Sequence, residues 1–165
     1  MILETDRLVL RDLKIGDEPF ILELLTSRGF KENIGERGVT DLDGARRYIE
    51  RALAGYDING FGLWRVEIKA TREIVGLCGL VKRDGLEHPD VGYAYLERFW
   101  GRGFASEAAG ATLAYGRTAA GLPTIVAITT SGNLSSIAVL KKIGMKDAGM
   151  IRLPGYDHDS SYFTT

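Results

Sequence analysis

The chain has 165 residues and a formal net charge of −1, and 45% of its residues are hydrophobic. This length suits one domain with a substantial core over residues 1–165, and the lack of a basic excess argues against nucleic acid as a partner. Its single cysteine, Cys78, the absence of a membrane-spanning apolar run and the absence of a signal-peptide pattern predict a cytoplasmic protein that does not bind a membrane.

The N-terminal third predicts one strand followed by two helices. The elements are a strand over residues 5–13, a helix from Asp17 or Glu18 to Gly29, a loop over residues 30–39 and a helix capped by Thr40 or Asp41. Pro19 is compatible with the first turn of its helix, because the amide hydrogen that proline lacks has no helical partner there.

Three strands follow, separated by short turns. They cover residues 61–69, 74–81 and 90–96, with turns at residues 70–73 and at Asp84 and Gly85. Consecutive strands with such short connections pair antiparallel. We therefore expect an antiparallel meander in the middle of the chain.

The C-terminal part alternates helices and strands. Its elements are a helix from Gly103, a strand over residues 125–128, a helix from Asn133 to Gly144, and strands over residues 145–153 and 161–165. The strand at residues 125–128 follows a helical crossover, so it should lie parallel to the strand before it. The fold class is α/β, with a mixed, mainly antiparallel sheet of about seven strands and helices on both faces.

The stretch from Asp90 to Ala120 contains the strongest functional signal, a strand that leads through a glycine turn into a helix. The first amides of a helix have no helical partner and lie at its positive end, so they can bind phosphate oxygens. Gly101 and Gly103 let the backbone approach such an anion, and Arg102 adds a positive charge. An ordinary strand-to-helix turn would have the same pattern.

Four segments together resemble the GNAT N-acetyltransferase superfamily, and within it the branch of ribosomal-protein N-terminal acetyltransferases. The segments that carry the resemblance are Trp-Gly-Arg-Gly-Phe-Ala-Ser-Glu-Ala at 100–108, Asn-Leu-Ser-Ser at 133–136, Lys-Ile-Gly-Met at 142–145 and Leu-Glu-Thr-Asp-Arg-Leu-Val-Leu-Arg at 3–11. The resemblance covers nearly the whole chain. Trp100 stands where the family often has Gln or Arg.

The resemblance implies acetyl-CoA as co-substrate. The implied cofactor-binding residues are Tyr95, Leu96, Trp100, Gly101, Arg102, Gly103, Phe104, Ala105, Ser106, Asn133, Ser136 and Lys142. Family members bind the pantetheine arm along the fourth strand, here at Tyr95 and Leu96, where that strand splays from the fifth. Asn133 and Lys142 are also explained by helix capping and by solvation near a helix end. No metal site is expected.

The resemblance also suggests catalytic residues. Many members protonate the leaving thiolate with a tyrosine at the position of Leu140; in the resembled branch a serine can serve, here Ser136. For the amine's proton, Asp90 matches a position that is usually acidic in relatives. Asp157 and His158 are other candidates, because the glutamate proposed as base in the branch aligns near Gly155.

The leading hypothesis is therefore direct transfer of an acetyl group to a primary amine, either a protein N-terminus or a small molecule. A CoA-binding sensor or scaffold without turnover, and an unrelated phosphate- or nucleotide-binding module, are the alternatives. In the family the first two helices help to wall the acceptor site, so acidic residues there would favour a cationic amine or a basic peptide. Those residues are Glu32, Glu36, Asp41 and Asp43. A homodimer is possible.

Overall fold

The computed structural model describes residues 1–165 and has one eight-stranded sheet with helices on both faces. The strands are β1 (Leu3–Glu4), β2 (Leu8–Arg11), β3 (Leu63–Ile68), β4 (Ile74–Val81), β5 (Asp90–Tyr95), β6 (Val126–Thr130), β7 (Lys146–Ile151) and β8 (Ser160–Thr164). The helices are α1 (Glu18–Thr26), α2 (Arg28–Asn33), α3 (Leu42–Asn59), α4 (Phe104–Thr118) and α5 (Leu134–Lys142).

The strand order in the sheet is β1-β2-β3-β4-β5-β6-β8-β7. Strands β3, β4 and β5 form the expected antiparallel meander, and β6 lies parallel to β5, as the helical crossover predicted. The last strand, β8, lies between β6 and β7, so β7 becomes the edge of the sheet. The predicted fold class is confirmed, and the eighth strand is the two-residue β1.

Capping side chains set two helix starts as predicted. Asp41 accepts a hydrogen bond from the Gly44 amide at 2.7 Å, and Asn133 accepts one from the Ser136 amide at 3.1 Å. Each bond satisfies an amide that has no partner within its helix. Asp41 and Asn133 can accept these bonds because each stands immediately before the first residue of its helix.

The prediction that one helix extends to Gly29 and is followed by a loop was wrong. Helix α1 ends at Thr26, and Ser27 then caps α2, accepting a hydrogen bond from the Phe30 amide at 3.3 Å. Gly29 lies within α2, at a position where a Cβ would come within 2.7 Å of the Trp100 ring. This glycine therefore permits close packing of α2 against the turn after β5.

The first predicted strand, residues 5–13, was too long: only β2 lies within that range, and a tight turn joins it to β1, which precedes the range. In that turn the Thr5 amide donates to the Leu8 carbonyl at 2.9 Å. The ends of the later strands differ from the predicted ends by no more than two residues, and β4 has the predicted bounds. Alternating side chains locate a strand well but mark its ends poorly.

The hydrophobic core is a contiguous cluster of 31 buried residues from the sheet and the helices on its two faces. Trp64 on β3 packs edge-on against the Tyr115 ring of α4 at a centroid distance of 5.3 Å. Helix α4 packs on β4 and β5, and α1 packs on α3. No helix is both long enough and apolar enough to cross a membrane.

A buried ionic cluster fixes the start of α1 to the sheet. The Arg65 guanidinium on β3 lies 2.7 Å from the Asp17 carboxylate and 3.6 Å from that of Glu67. Asp17 also accepts a hydrogen bond from the Lys14 amide at 3.0 Å. These charges are almost fully buried, so each depends on its partners for stabilisation.

Candidate functional site

Strands β5 and β6 separate soon after they meet, and this leaves a notch in the sheet. They pair only at Asp90 and Val126. The Leu96 amide bonds to the Val75 carbonyl on the β4 side at 3.0 Å, so by strand alternation the Tyr93 backbone groups face the notch. Tyr93 therefore presents an amide and a carbonyl that an extended ligand could pair with. The separation expected from the family resemblance is present.

The turn between β5 and α4 contains two glycines in the left-handed region, Gly101 with φ +75° and Gly103 with φ +80°. Residues with a Cβ adopt this conformation only at a cost. Gly103 precedes α4 without a side-chain cap, and the first helical bond is the one from the Glu107 amide to the Gly103 carbonyl. The amides of Phe104, Ala105 and Ser106 are consequently free for an anion.

The N-terminal segment holds this turn in position. The Arg7 guanidinium lies 2.7 Å from the Glu107 carboxylate and donates to the Arg102 carbonyl at 2.9 Å. Partial burial opposes ionisation of Glu107, but hydrogen bonds from Thr5 and Arg7 lower its pKa below the usual value. Arg7 also stacks over the Phe104 ring, 4.7 Å from its centroid.

Ser136 in the first turn of α5 contacts Tyr93, which no sequence motif indicated. The Tyr93 hydroxyl lies 2.9 Å from Ser136 Oγ and 3.2 Å from the Ser136 carbonyl oxygen. Burial raises the pKa of Tyr93 to about 12, and the hydrogen bond with Ser136 opposes this. The phenol is therefore protonated at neutral pH. Its position two residues before Tyr95, on the same face of β5, was the available signal.

Asp90, at the start of β5, is buried against an arginine. Its two carboxylate oxygens each lie 3.4 Å from Arg83 nitrogens, and Arg83 reaches the Tyr156 hydroxyl at 3.4 Å. Burial raises the pKa of Asp90, while Arg83 opposes this shift. Asp90 and Arg83 both line one large cleft, so the carboxylate lies beside the site with both oxygens already bound to Arg83.

The loop between β7 and β8 contributes an imidazole. His158 Nδ1 lies 2.8 Å from the Asp157 carboxylate, which leaves Nε2 without a protein partner. His158 lines the cleft and Asp157 does not. The His158 hydrogen bond lowers the pKa of the exposed Asp157. Gly155 does not line the cleft.

These features surround one large cleft of about 1060 Å³. Of the residues predicted to bind the cofactor or act in catalysis, those that line it are Asp90, Tyr95, Trp100, Gly101, Gly103, Phe104, Ala105, Ser106, Asn133 and Ser136. Leu96, Arg102 and Lys142 do not. Leu96 is buried in the core, Arg102 stacks over Phe104 at 4.9 Å, and Lys142 is exposed at the end of α5.

The acidic residues expected near an acceptor do not form an acidic wall. Only Glu32 of the four lines the cleft, and its carboxylate lies 2.6 Å from Arg28. Asp41 is the α3 cap, and Asp43 lies in the first turn of that helix. The hypothesis of a cationic acceptor therefore loses its basis, because the charges behind it lie elsewhere or are already paired.

The expected cofactor fits the groups present. A pyrophosphate needs several backbone donors, and the free amides of α4 provide them beside Gly101, where no side chain covers the surface. An arm with amide groups can pair as a strand with the exposed edge of β5. Both surfaces belong to one continuous cleft, so a single long ligand can reach both.

Comparison with known proteins gives one family. Residues 7–146 match the family model described as "Acetyltransferase (GNAT) domain". The chain is 29% identical over 164 residues to "Uncharacterized N-acetyltransferase YoaA" of Bacillus subtilis (strain 168), covering 99% of this chain and 93% of the relative. It is 34% identical over 156 residues to "Uncharacterized protein YkkB" of the same organism, covering 91% and 88%.

Solved structures show the same architecture. A GNAT-family acetyltransferase from Bacillus anthracis superimposes with a TM-score of 0.83 at 25% identity, covering 98% of this chain and 96% of that one. A spermidine N-acetyltransferase from Vibrio cholerae, solved with CoA and spermine, gives 0.80 at 19% identity, covering 98% and 96%. At that identity the second likeness concerns the fold alone.

Proposed function

Because this chain belongs to the GNAT acetyltransferase family, we propose that residues 1–165 form a single domain that transfers an acetyl group from acetyl-CoA directly to a primary amine. Acetyl-CoA, when bound, supplies an acetyl group already activated as a thioester. The protein then has to orient both reactants and move two protons. One observation carries the proposal: β5 and β6 separate beside a helix whose first amides are free.

We assign the pyrophosphate to the backbone of residues 101–106 and the pantetheine arm to the free edge of β5 at Tyr93 and Tyr95. The Tyr95 carbonyl already accepts a hydrogen bond from the Trp100 indole at 2.9 Å, so Tyr93 offers the free carbonyl. Trp100, half exposed, and Asn133 line the same part of the cleft.

For the leaving sulfur, we assign the proton to Ser136 Oγ, with the Tyr93 hydroxyl as its partner. When the Tyr93 hydroxyl donates to Ser136 Oγ across their 2.9 Å contact, the serine hydroxyl hydrogen is free to point into the cleft. The tyrosine supports the developing charge on the serine and can replace its proton. This pair offers a hydroxyl donor where Leu140 has none, which supports turnover over a sensor.

For the amine's proton, Asp90 remains a proposed acceptor, directly or through water, and His158 is the alternative. Arg83 occupies the Asp90 oxygens at 3.4 Å, which stabilises the carboxylate but limits its freedom to take a proton. His158 Nε2 has no such partner, and Asp157 holds its ring. Imidazole is the side chain used most often for this purpose.

The first test is calorimetric titration with acetyl-CoA, with ATP as control, followed by a thiol-release assay on a panel of amines. We expect a dissociation constant in the micromolar range or below, about −8 kcal/mol or better, no response to ATP, and thiol release with at least one amine. Failure to bind acetyl-CoA would contradict the proposal. Binding without thiol release from any amine would instead support a sensor, and tighter ATP binding a nucleotide module.

Ser136→Ala is expected to lower kcat by about 100-fold, and Tyr93→Phe by about 10-fold. Both should change the dissociation constant for acetyl-CoA much less, because their hydroxyls act on the proton. Because the pKa of Tyr93 is about 12, its ionisation should not lower wild-type kcat below about pH 11.

Tyr162→Phe, on β8 and outside the cleft, is the matched control and should retain wild-type kcat. Since Tyr93 acts through Ser136, the double variant should be no slower than Ser136→Ala. Fully multiplicative losses, or an alkaline decline of kcat near pH 9 that disappears in Tyr93→Phe, would argue against the relay.

A further inference from the structure

A second cavity of about 350 Å³ adjoins the cleft on the side of α3. Four residues line both spaces, and they are Arg37, Tyr48, Leu63 and Val81. The second cavity, which we call the side cavity, is therefore next to the part of the cleft formed by α2, the loop after it and Tyr48. In the resembled family, the corresponding part of the cleft binds the acceptor.

All charged residues that line the side cavity are basic. They are Arg37, Arg51 and Lys82, and no aspartate or glutamate lines it. None of the three has a carboxylate within 4.0 Å, whereas Arg46, also on α3, lies 3.2 Å from Glu50. In a chain with a net charge of −1, three unpaired cations at one small cavity are a local excess that favours an anion.

Tyr48 lines both spaces, and its hydroxyl makes no hydrogen bond within the protein. Burial raises the pKa of Tyr48, and the positive charges of Arg37, Arg51 and Arg83 oppose this rise. The hydroxyl is therefore a neutral donor at a cavity that Arg37 and Arg51 also line. Such a combination suits the oxygens of a carboxylate or phosphate, which guanidinium groups bind in pairs of hydrogen bonds.

From these contacts we infer that the acceptor is a small primary amine that carries a carboxylate or phosphate group, with the anionic end bound in the side cavity by Arg37, Arg51 and Tyr48. This inference rests on the proposed function and names its substrate class. A polyamine or basic peptide would instead meet charges of its own sign. The carboxylates that line the main cleft, Glu32 and Asp90, already pair with Arg28 and Arg83.

The test compares short primary amines of similar length that differ at the far end: 4-aminobutyrate, 3-aminopropyl phosphate, n-butylamine and putrescine. We expect kcat/KM for at least one anionic amine to exceed those for butylamine and putrescine by about 10-fold or more, as for a hydrogen-bonded charge. Comparison of 4-aminobutyrate with 3-aminopropyl phosphate shows whether a carboxylate or a phosphate is preferred. Glutarate, which has no amine, should compete with the preferred acceptor but not with acetyl-CoA.

Arg37→Gln and Arg51→Gln should each raise KM for the anionic amine by about 10-fold and leave the affinity for acetyl-CoA unchanged. Arg47→Gln is the control, since Arg47 is an unpaired arginine of α3 that lines neither space. Preference for putrescine or butylamine, or acetylation of peptide N-termini alone, would overturn the inference while the proposed function stands. Absence of acetyl-CoA binding would overturn the proposed function itself.

Discussion

Gly101→Ala is expected to weaken acetyl-CoA binding by about 10- to 100-fold, as when charged hydrogen bonds are displaced. Gly101 has φ +75°, and a Cβ built on it meets no protein atom within 4 Å. The methyl group would thus stand in the cleft where we place the pyrophosphate, and the residue would also strain the turn. Titration calorimetry with acetyl-CoA measures the change.

Gly60→Ala provides a closely matched control. Gly60 has φ +76° after the end of α3, and its Cβ would likewise meet nothing within 4 Å, but it does not line the cleft. Both variants should lose about 1–2 kcal/mol of stability from left-handed backbone strain, and only Gly101→Ala should lose affinity. Equal affinity for acetyl-CoA in the two variants would mean that the glycine turn is only structural.

Arg65→Met is expected to lower the free energy of unfolding by about 3–5 kcal/mol, the usual effect of removing one partner from a buried ion pair. Asp17 lies 2.7 Å from Arg65, and the side chains of Arg65 and Asp17 are only 11% and 4% exposed. Without the guanidinium, the Asp17 charge would be buried at the start of α1 with only the Lys14 amide as a partner. Urea denaturation measures the loss.

Arg152→Met removes an ion pair of the same length, 2.7 Å to Asp159, whose side chains are 56% and 52% exposed. An exposed pair contributes at most about 1 kcal/mol, because water and ions screen it. We therefore expect a small change from this variant. Losses of equal size in the two variants would show that burial of Arg65 has no energetic consequence.

Secondary structure was predictable wherever the signal was local. The bounds of β4 and the caps at Asp41 and Asn133 agree with prediction, because alternation and capping depend on residues a few positions apart. Gly29 misled the prediction, because its small size accommodates Trp100, about seventy positions away. The sequence does not distinguish a glycine required by a distant contact from a glycine that ends a helix.

The candidate site divides in the same way. The glycine turn and the Asn133 helix could be found from motifs, since each lies within a short segment of the chain. The contact of Tyr93 with Ser136 and the basic side cavity were missed, because each joins residues from separate elements. Glu32, the one acidic acceptor-side candidate that lines the cleft, pairs with Arg28 four residues earlier in α2, a contact that could not be expected while residues 30–39 were predicted as a loop.

The sequence by itself determined the family, the alternation of strands and helices and the glycine turn, because periodicity, caps and motifs are properties of neighbouring residues. Tertiary structure alone decided that β8 lies between β6 and β7, that β5 and β6 pair at a single point, and that three cations surround one cavity. Strand order and charge placement depend on contacts between distant segments, and their free energy is gained only when the whole sheet has assembled.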